Sequence, residues 1–168
     1  MENMDMIINE VTTAIEAMDP EVLAGGILLF AGLFAAIVAL TVIRYLLIGL
    51  GYSKMYRKAG VAPWKAFIPI YHTYNNYKIS WNVEMFALSV VMYMLVNSLG
   101  GSEALVPQLT AAVTGITLIA VVIKQNIMMA KLFGKGTGTG IALAIFPGIT
   151  SLILGMGKAE FQAQNEND

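Results

Sequence analysis

The sequence predicts an all-α polytopic membrane bundle, and three observations carry that expectation. Hydrophobic residues make up 57% of the 168 and charged residues only 12%. The mean hydropathy is +0.69, whereas a soluble domain carries about 25% charged residues. The apolar residues are also gathered into blocks, and a helical block of about 20 residues spans the roughly 30 Å of bilayer hydrocarbon. About four transmembrane helices are expected, preceded by an amphipathic N-terminal helix and interrupted by an interfacial aromatic helix.

Residues 1–19 read as an acidic amphipathic helix. Met4, Ile8, Val11, Ile15 and Met18 recur at spacings of four and three, which places them on one face, and acids occupy the other. Its role is a surface helix or a docking seam. Asp19 is the expected N-cap and Pro20 the first-turn residue of the next helix. An acidic, amphipathic start lacks the basic region of a signal peptide, so no cleavage is expected. The membrane domain is placed at 20–157. Its first span, 22–43, is free of charge and reaches about 33 Å. Gly32 with Ala36, and Ala35 with Ala39, put small residues four apart, as at close helix contacts. Arg44 then snorkels to the headgroups.

Residues 51–78 are basic, aromatic and broken by Pro63 and Pro69. A helix over about 63–77 gathers Trp64, Phe67, Tyr71 and Tyr74 on one stripe suited to the headgroup level, and Pro69 should kink or split it. Candidate ligand or partner contacts here are Trp64, Lys65, Pro69 and Tyr71, followed by His72, Tyr74, Asn75 and Lys78. His72 is the only histidine, so no histidine cluster can hold a metal; its plain role is an interfacial hydrogen bond.

The second span is placed at 79–99, bounded by Trp81 and Gly100-Gly101. Ser89, Tyr93 and Asn97 form a polar stripe expected to face protein, and Glu84 is expected to pair with Lys78, Lys65 or Arg44. The third span, 108–131, aligns Thr110, Thr114, Thr117 and Lys124. Glu84, Asn97, Thr114 and Lys124 join the candidates. The fourth segment, 141–156, reaches only about 24 Å and carries Pro147-Gly148 at its centre. A kinked span is preferred over a re-entrant pair of half-helices, with Pro147 a further candidate. The tail, 158–168, is polar and expected to be mobile.

Cytoplasmic connections collect Lys and Arg. Placing the connections after the first and third spans inside leaves only Lys158 of the ten basic residues outside, which puts the N-terminus outside. The C-terminus follows it if the fourth segment spans and is cytoplasmic if that segment is re-entrant.

Little points to chemistry. With no cysteine there is no disulfide framework, thiolate metal site or cysteine nucleophile. GKGTGTG at 134–140 lacks the flanking strand of a phosphate-binding loop and reads as a flexible turn. A serine-lysine protease would need a desolvated lysine beside its serine, yet Ser98 and Ser102 have only Lys158 on their expected side. No catalytic residue, metal or cofactor is expected, and membrane anchoring explains the basic aromatic loop without nucleic acid.

Two stretches, VAPWKAFIPIYHTYNNYKI at Val61–Ile79 and AKLFGKGTGTGIALAIFPGITSLILGMGKAEF at Ala130–Phe161, resemble an uncharacterised family of small bacterial multi-pass membrane proteins, often labelled signal peptidase I in automatic annotation. The resemblance covers about residues 45–161. It implies a multi-pass fold in the bacterial cytoplasmic membrane and no particular reaction. KAFIPIY at Lys65 and LAIFPGI at Leu143 also echo each other, each putting proline in an apolar run; paired broken helices mark binding sites in some transporters. The reading is a non-enzymatic accessory protein that binds lipid, a protein partner or further copies of itself. The rivals are a small transporter or channel lined by Ser89, Tyr93, Asn97, Thr110, Thr114 and Thr117, and an intramembrane hydrolase.

Overall fold

Helices follow the apolar blocks, but their ends fall where proline, asparagine and glycine set them. A computed structural model describes residues 2–16 and 19–162. Among them every regular element is helical: α1 (Glu2–Glu16), α2 (Pro20–Lys58), a 3-10 helix (Pro63–Phe67), α3 (Pro69–Ser80), α4 (Val83–Leu99), α5 (Leu105–Leu132), α6 (Thr137–Ile145) and α7 (Pro147–Met156). The chain divides into two units, Met1–Ile43 and Arg44–Asp168.

In the first unit Met4, Ile8 and Val11 lie exposed along α1; the side chain of Ile15 and all of Met18 fall outside the described residues. Asp19 caps α2, its Oδ1 accepting from the Glu21 amide at 2.9 Å. The part of α2 in this unit is apolar and almost wholly exposed. Among the described residues nothing comes within 4 Å of a Cβ built on Gly32.

The second unit corrects several boundaries. α2 does not stop at Ile43. No proline interrupts it, so it runs through Arg44 to Lys58, closing where Gly60 takes φ 72° and the Val61 amide reaches the Tyr56 carbonyl at 2.8 Å. Tyr52, Met55 and Tyr56, expected in a connecting loop, are instead buried on this helix. The interfacial helix divides at Ile68, which is extended (φ -106°, ψ 115°), because the residue before a proline is driven out of the helical region. α3 then continues to Ser80. The following helix begins at Val83 rather than Ile79: Trp81 leaves helical conformation (φ -144°, ψ -103°), and Asn82 caps α4 by accepting from the Met85 amide at 2.9 Å.

Among the described residues two helices, α2 and α5, are long and apolar enough to cross a membrane, and α4 is shorter at 17 residues. The fourth segment is divided at its proline into two half-helices. α6 and α7 have 9 and 10 residues, each about 15 Å, and meet at Phe146-Pro147. Gly140 lets α6 lie against the Ile127 backbone of α5, and Gly155 lets α7 lie against the Gly51 carbonyl of α2. α6 leaves from the end of α5, and α7 finishes beside the end of α2. The start of α6 and the end of α7 therefore lie at the same end of α5 and α2.

GKGTGTG is also more ordered than a flexible turn. Gly134 takes φ 66° as the Lys135 amide bonds the Ala130 carbonyl at 3.0 Å, a glycine closure of α5; residues from Thr137 onward already form α6. The tail is held as far as Gln162. Lys58 Nζ donates to the carbonyls of Leu154, Gly157 and Ala159 at 2.9, 2.7 and 2.8 Å. The Gln162 amide donates to the Leu132 carbonyl at 2.7 Å, and Phe161 packs on Phe133 at 5.6 Å between ring centroids. Residues 158–162 thus contact α2 and α5; residues 163–168 lie outside the described residues. Around Met55, Tyr56, Met129, Phe133, Leu143 and Leu154 these elements close one apolar core.

Candidate functional site

Above that core, helical spacing gathers polar side chains. Tyr52 and Tyr56 are one turn apart on α2, and so are His72 and Asn76 on α3, so each pair shares a face. The Tyr56 hydroxyl sits 2.7 Å from the His72 carbonyl oxygen and 2.8 Å from Asn76 Oδ1. Asn76 Nδ2 lies 3.1 Å from His72 Nε2, and the Tyr52 ring meets the His72 ring edge-on at 4.4 Å. From α5, Gln125 Nε2 donates to Ser80 Oγ at 3.0 Å, and Asn126 Oδ1 accepts from Tyr52 at 3.5 Å. Ser89 of α4 and Tyr77 of α3 bond through their hydroxyls at 2.8 Å. Burial pushes the His72 imidazole down to about 4, because the charged form would lose its hydration; the ring is neutral at pH 7.

Apart from Tyr56 and Ser80, these groups border a cavity of about 410 Å³, within the range of small-molecule sites. Tyr52, His72, Asn76, Ser89, Gln125 and Asn126 give it a polar part. Val90 and Tyr93 from α4, Leu118 and Val122 from α5, and Leu143 and Pro147 give it an apolar part. No Asp, Glu, Lys or Arg lines it among the described residues. Thr73, Tyr93 and Val122 are exposed, so the cavity reaches the surface. Among the described residues no buried side-chain nitrogen or oxygen lacks a partner. Spare capacity nonetheless remains, since an amide side chain offers about four hydrogen-bonding positions and Gln125 uses one, with Ser80.

A second cavity of about 250 Å³ lies beside the first and shares His72, Thr73 and Pro147 with it. Pro69 and Pro147 both border it, each at the first turn of its helix. The two proline breaks of the sequence echo therefore meet in space.

The remaining candidates lie elsewhere. Trp64 and Tyr71 are exposed and pack edge-on at 5.6 Å; Lys65 is half-buried in the 3-10 turn. Tyr74 packs on Phe86 at 5.5 Å, with Lys78 Nζ 6.0 Å from its ring. Asn75 is buried and bonds its own helix at the Tyr71 carbonyl, 2.6 Å away. Glu84 is exposed in the first turn of α4, where the helix dipole favours a carboxylate without any lysine. Asn97 is exposed and donates to the Tyr93 carbonyl at 2.8 Å. Of the expected polar stripe on α4, only Ser89 is buried.

On α5 the threonines do not form a lining. Thr110 and Thr117 are exposed and bond carbonyls of their own helix at 2.9 Å, and Thr114 is half-buried outside the cavity. Lys124 stands 4.5 Å over the Trp81 ring. Lys158 lies with the end of α5, whereas Ser98 and Ser102 lie toward its start, so no serine-lysine dyad assembles. Sequence reasoning passed over Tyr52, Asn76, Gln125 and Asn126. The signal for two of them was present: adjacent amides in an otherwise apolar helix require partners.

A family model described as a family of unknown function (DUF5684) matches residues 64–164, which contain most of the cavity lining. Neither a curated protein nor a solved structure matches the chain.

Proposed function

The chain belongs to the DUF5684 family of unknown function, and from that premise we propose that it is an integral membrane protein of non-catalytic role that holds a small uncharged molecule between α3, α4, α5 and α6. The observation that carries this reading is a cavity of about 410 Å³ with hydroxyl, amide and neutral imidazole groups on one part of its wall and no ionised side chain among the described lining residues. Such a wall can hydrogen-bond a neutral ligand, and burying a net charge there without a partner would be costly.

Membrane residence is supported by the length and apolar character of α2 and α5. In this reading α4 makes a third crossing and α6 with α7 forms a re-entrant pair. Lys54, Arg57, Lys58, Lys131, Lys135 and Lys158 then share the cytoplasmic side, the C-terminus lies with them and the N-terminus lies outside. The paired proline breaks at the adjoining cavity favour a second reading, in which the bound molecule passes on through the protein.

The test is to purify the full chain gently, extract it with organic solvent and quantify small molecules by mass spectrometry beside Val122→Trp, which fills the cavity from its exposed rim. A compound present in molar proportion on the wild type and depleted at least tenfold in the variant is expected. Equal recovery from both would remove the cavity as the binding place.

A further inference from the structure

The cavity wall is divided by polarity along its length. On α5 the order is Leu118, Val122, then Gln125 and Asn126, a run of about 12 Å. On the antiparallel α4, Val96 meets Gly115 of α5, which sets Ser89 near the level of Val122, about one turn beyond the amides, with Val90 beside it and Tyr93 farther toward Leu118. Tyr52, His72 and Asn76 crowd the amide end through their own bonds. Leu143 and Pro147 complete the lining.

The polar end lies at a recognisable height. Lys124 over Trp81 is one residue from Gln125, and a lysine with an indole marks the headgroup level of a membrane protein. The apolar end is on the hydrophobic part of α5, where Val113, Ile116 and Ile119 are exposed. The rim residues Tyr93 and Val122 are exposed on these same helices, so in a bilayer the cavity opens sideways to hydrocarbon.

We infer that the ligand is a neutral amphiphile, a single-chain lipid whose uncharged hydroxyl or amide head is held by Gln125, Asn126 and Tyr52 and whose chain leaves along Val90, Leu118 and Val122. The inference rests on the ligand-binding reading above and adds its chemical class. A water-soluble polar solute would leave the apolar half of the wall unmatched. A phospholipid or fatty-acid anion would bring charge to amide and hydroxyl groups that have no cation among them. A neutral head at the headgroup level with its chain in the hydrocarbon satisfies both halves at once.

The test uses the full chain in lipid nanodiscs with a photoreactive 1-monoacylglycerol carrying a diazirine in its chain, and maps labelled residues by mass spectrometry. Labelling at Val90, Leu118 or Val122 is expected to fall at least fivefold with excess 1-oleoylglycerol, to be unaffected by equal oleate, and to be lost in Gln125→Leu/Asn126→Leu. Labelling spread over outward residues such as Ile116 and Ile119, without competition, would overturn the inference. So would stronger competition by oleate. If solvent extraction still recovers a water-soluble compound that Val122→Trp depletes, the binding reading stands and the amphiphile assignment fails; if nothing is recovered either, both fail.

Discussion

Gly51 of α2 and Ser151 of α7 touch so closely that a methyl group added to Gly51 would overlap the Ser151 hydroxyl. The contact brings the returning half-helix against the foot of α2, and the neighbouring Gly155 meets the Gly51 carbonyl. Position of α7, and with it Pro147 on the cavity wall, depends on the absence of a side chain at one residue.

Replacing Gly51 by valine should therefore displace α7. Overpacking costs about 1–3 kcal/mol, which for a chain of this size lowers the melting temperature by about 2–12 °C. Gly138→Ala provides the contrast, because nothing lies within 4 Å of a Cβ there and alanine favours a helix by about 1 kcal/mol. Thermal unfolding in detergent should show the first variant below the wild type and the second at or above it.

Lys58→Met should release the segment that follows α7. The lysine satisfies the carbonyls of Leu154, Gly157 and Ala159, and charge-assisted bonds of this kind contribute about 1.5–3 kcal/mol each when intact. Hydrogen exchange should accelerate at least tenfold at Gln162, whose amide bonds Leu132, while Asn126 on α5 stays protected. Unchanged exchange at Gln162 would mean that Phe161 on Phe133 alone secures the segment.

The buried imidazole of His72 gives stability a defined pH dependence. Its value falls to about 4 in the folded chain against about 6.5 in an unfolded one, so between these limits the unfolded state binds more protons. Stability from this group is fully present above about 6.5 and declines as pH falls toward 4. Melting temperatures measured from pH 8 to pH 4 should drop more steeply for the wild type than for His72→Gln.

The return of α6 and α7 to one end is open to chemical labelling, since the chain has no cysteine of its own. Single cysteines at Gly60, Gly136 and Lys158 should react with a membrane-impermeant maleimide from the same side in oriented vesicles, and one at Ser102 from the other. A Lys158 position that labels together with Ser102 would make the fourth segment a crossing.

What the sequence discloses is mostly local. The apolar blocks mark α2 and α5, the Asp19-Pro20 pair marks the start of α2, and Pro69 and Pro147 mark two breaks because proline constrains its own turn and the residue before it. The end of α2 is hidden by composition: Lys54 and Arg57 read as a loop, yet their helix continues because Tyr52 and Tyr56 bury their rings against α3. The fixed tail is equally hidden, since it depends on Lys58 reaching carbonyls about 100 positions away. The cavity is the furthest from legible. His72 and Pro147 were visible as unusual residues, and the spacing within α3 pairs His72 with Asn76, but the approach of Pro147 to Gln125 and Asn126 depends on α6 and α7 packing through Gly140 and Gly155, which no spacing within one helix encodes. Periodic threonines on α5 drew attention to the face that the structure leaves outward.

Native mass spectrometry of the full chain, taken gently from its own membrane, tests the polar cavity most directly when wild type is compared with Gln125→Leu/Asn126→Leu and with the outward control Thr117→Val. The account predicts one reproducible neutral adduct on the wild type and on Thr117→Val that is absent from the double variant, with similar melting temperatures for all three. The same adducts on all three proteins would contradict it and move binding to the outer surface.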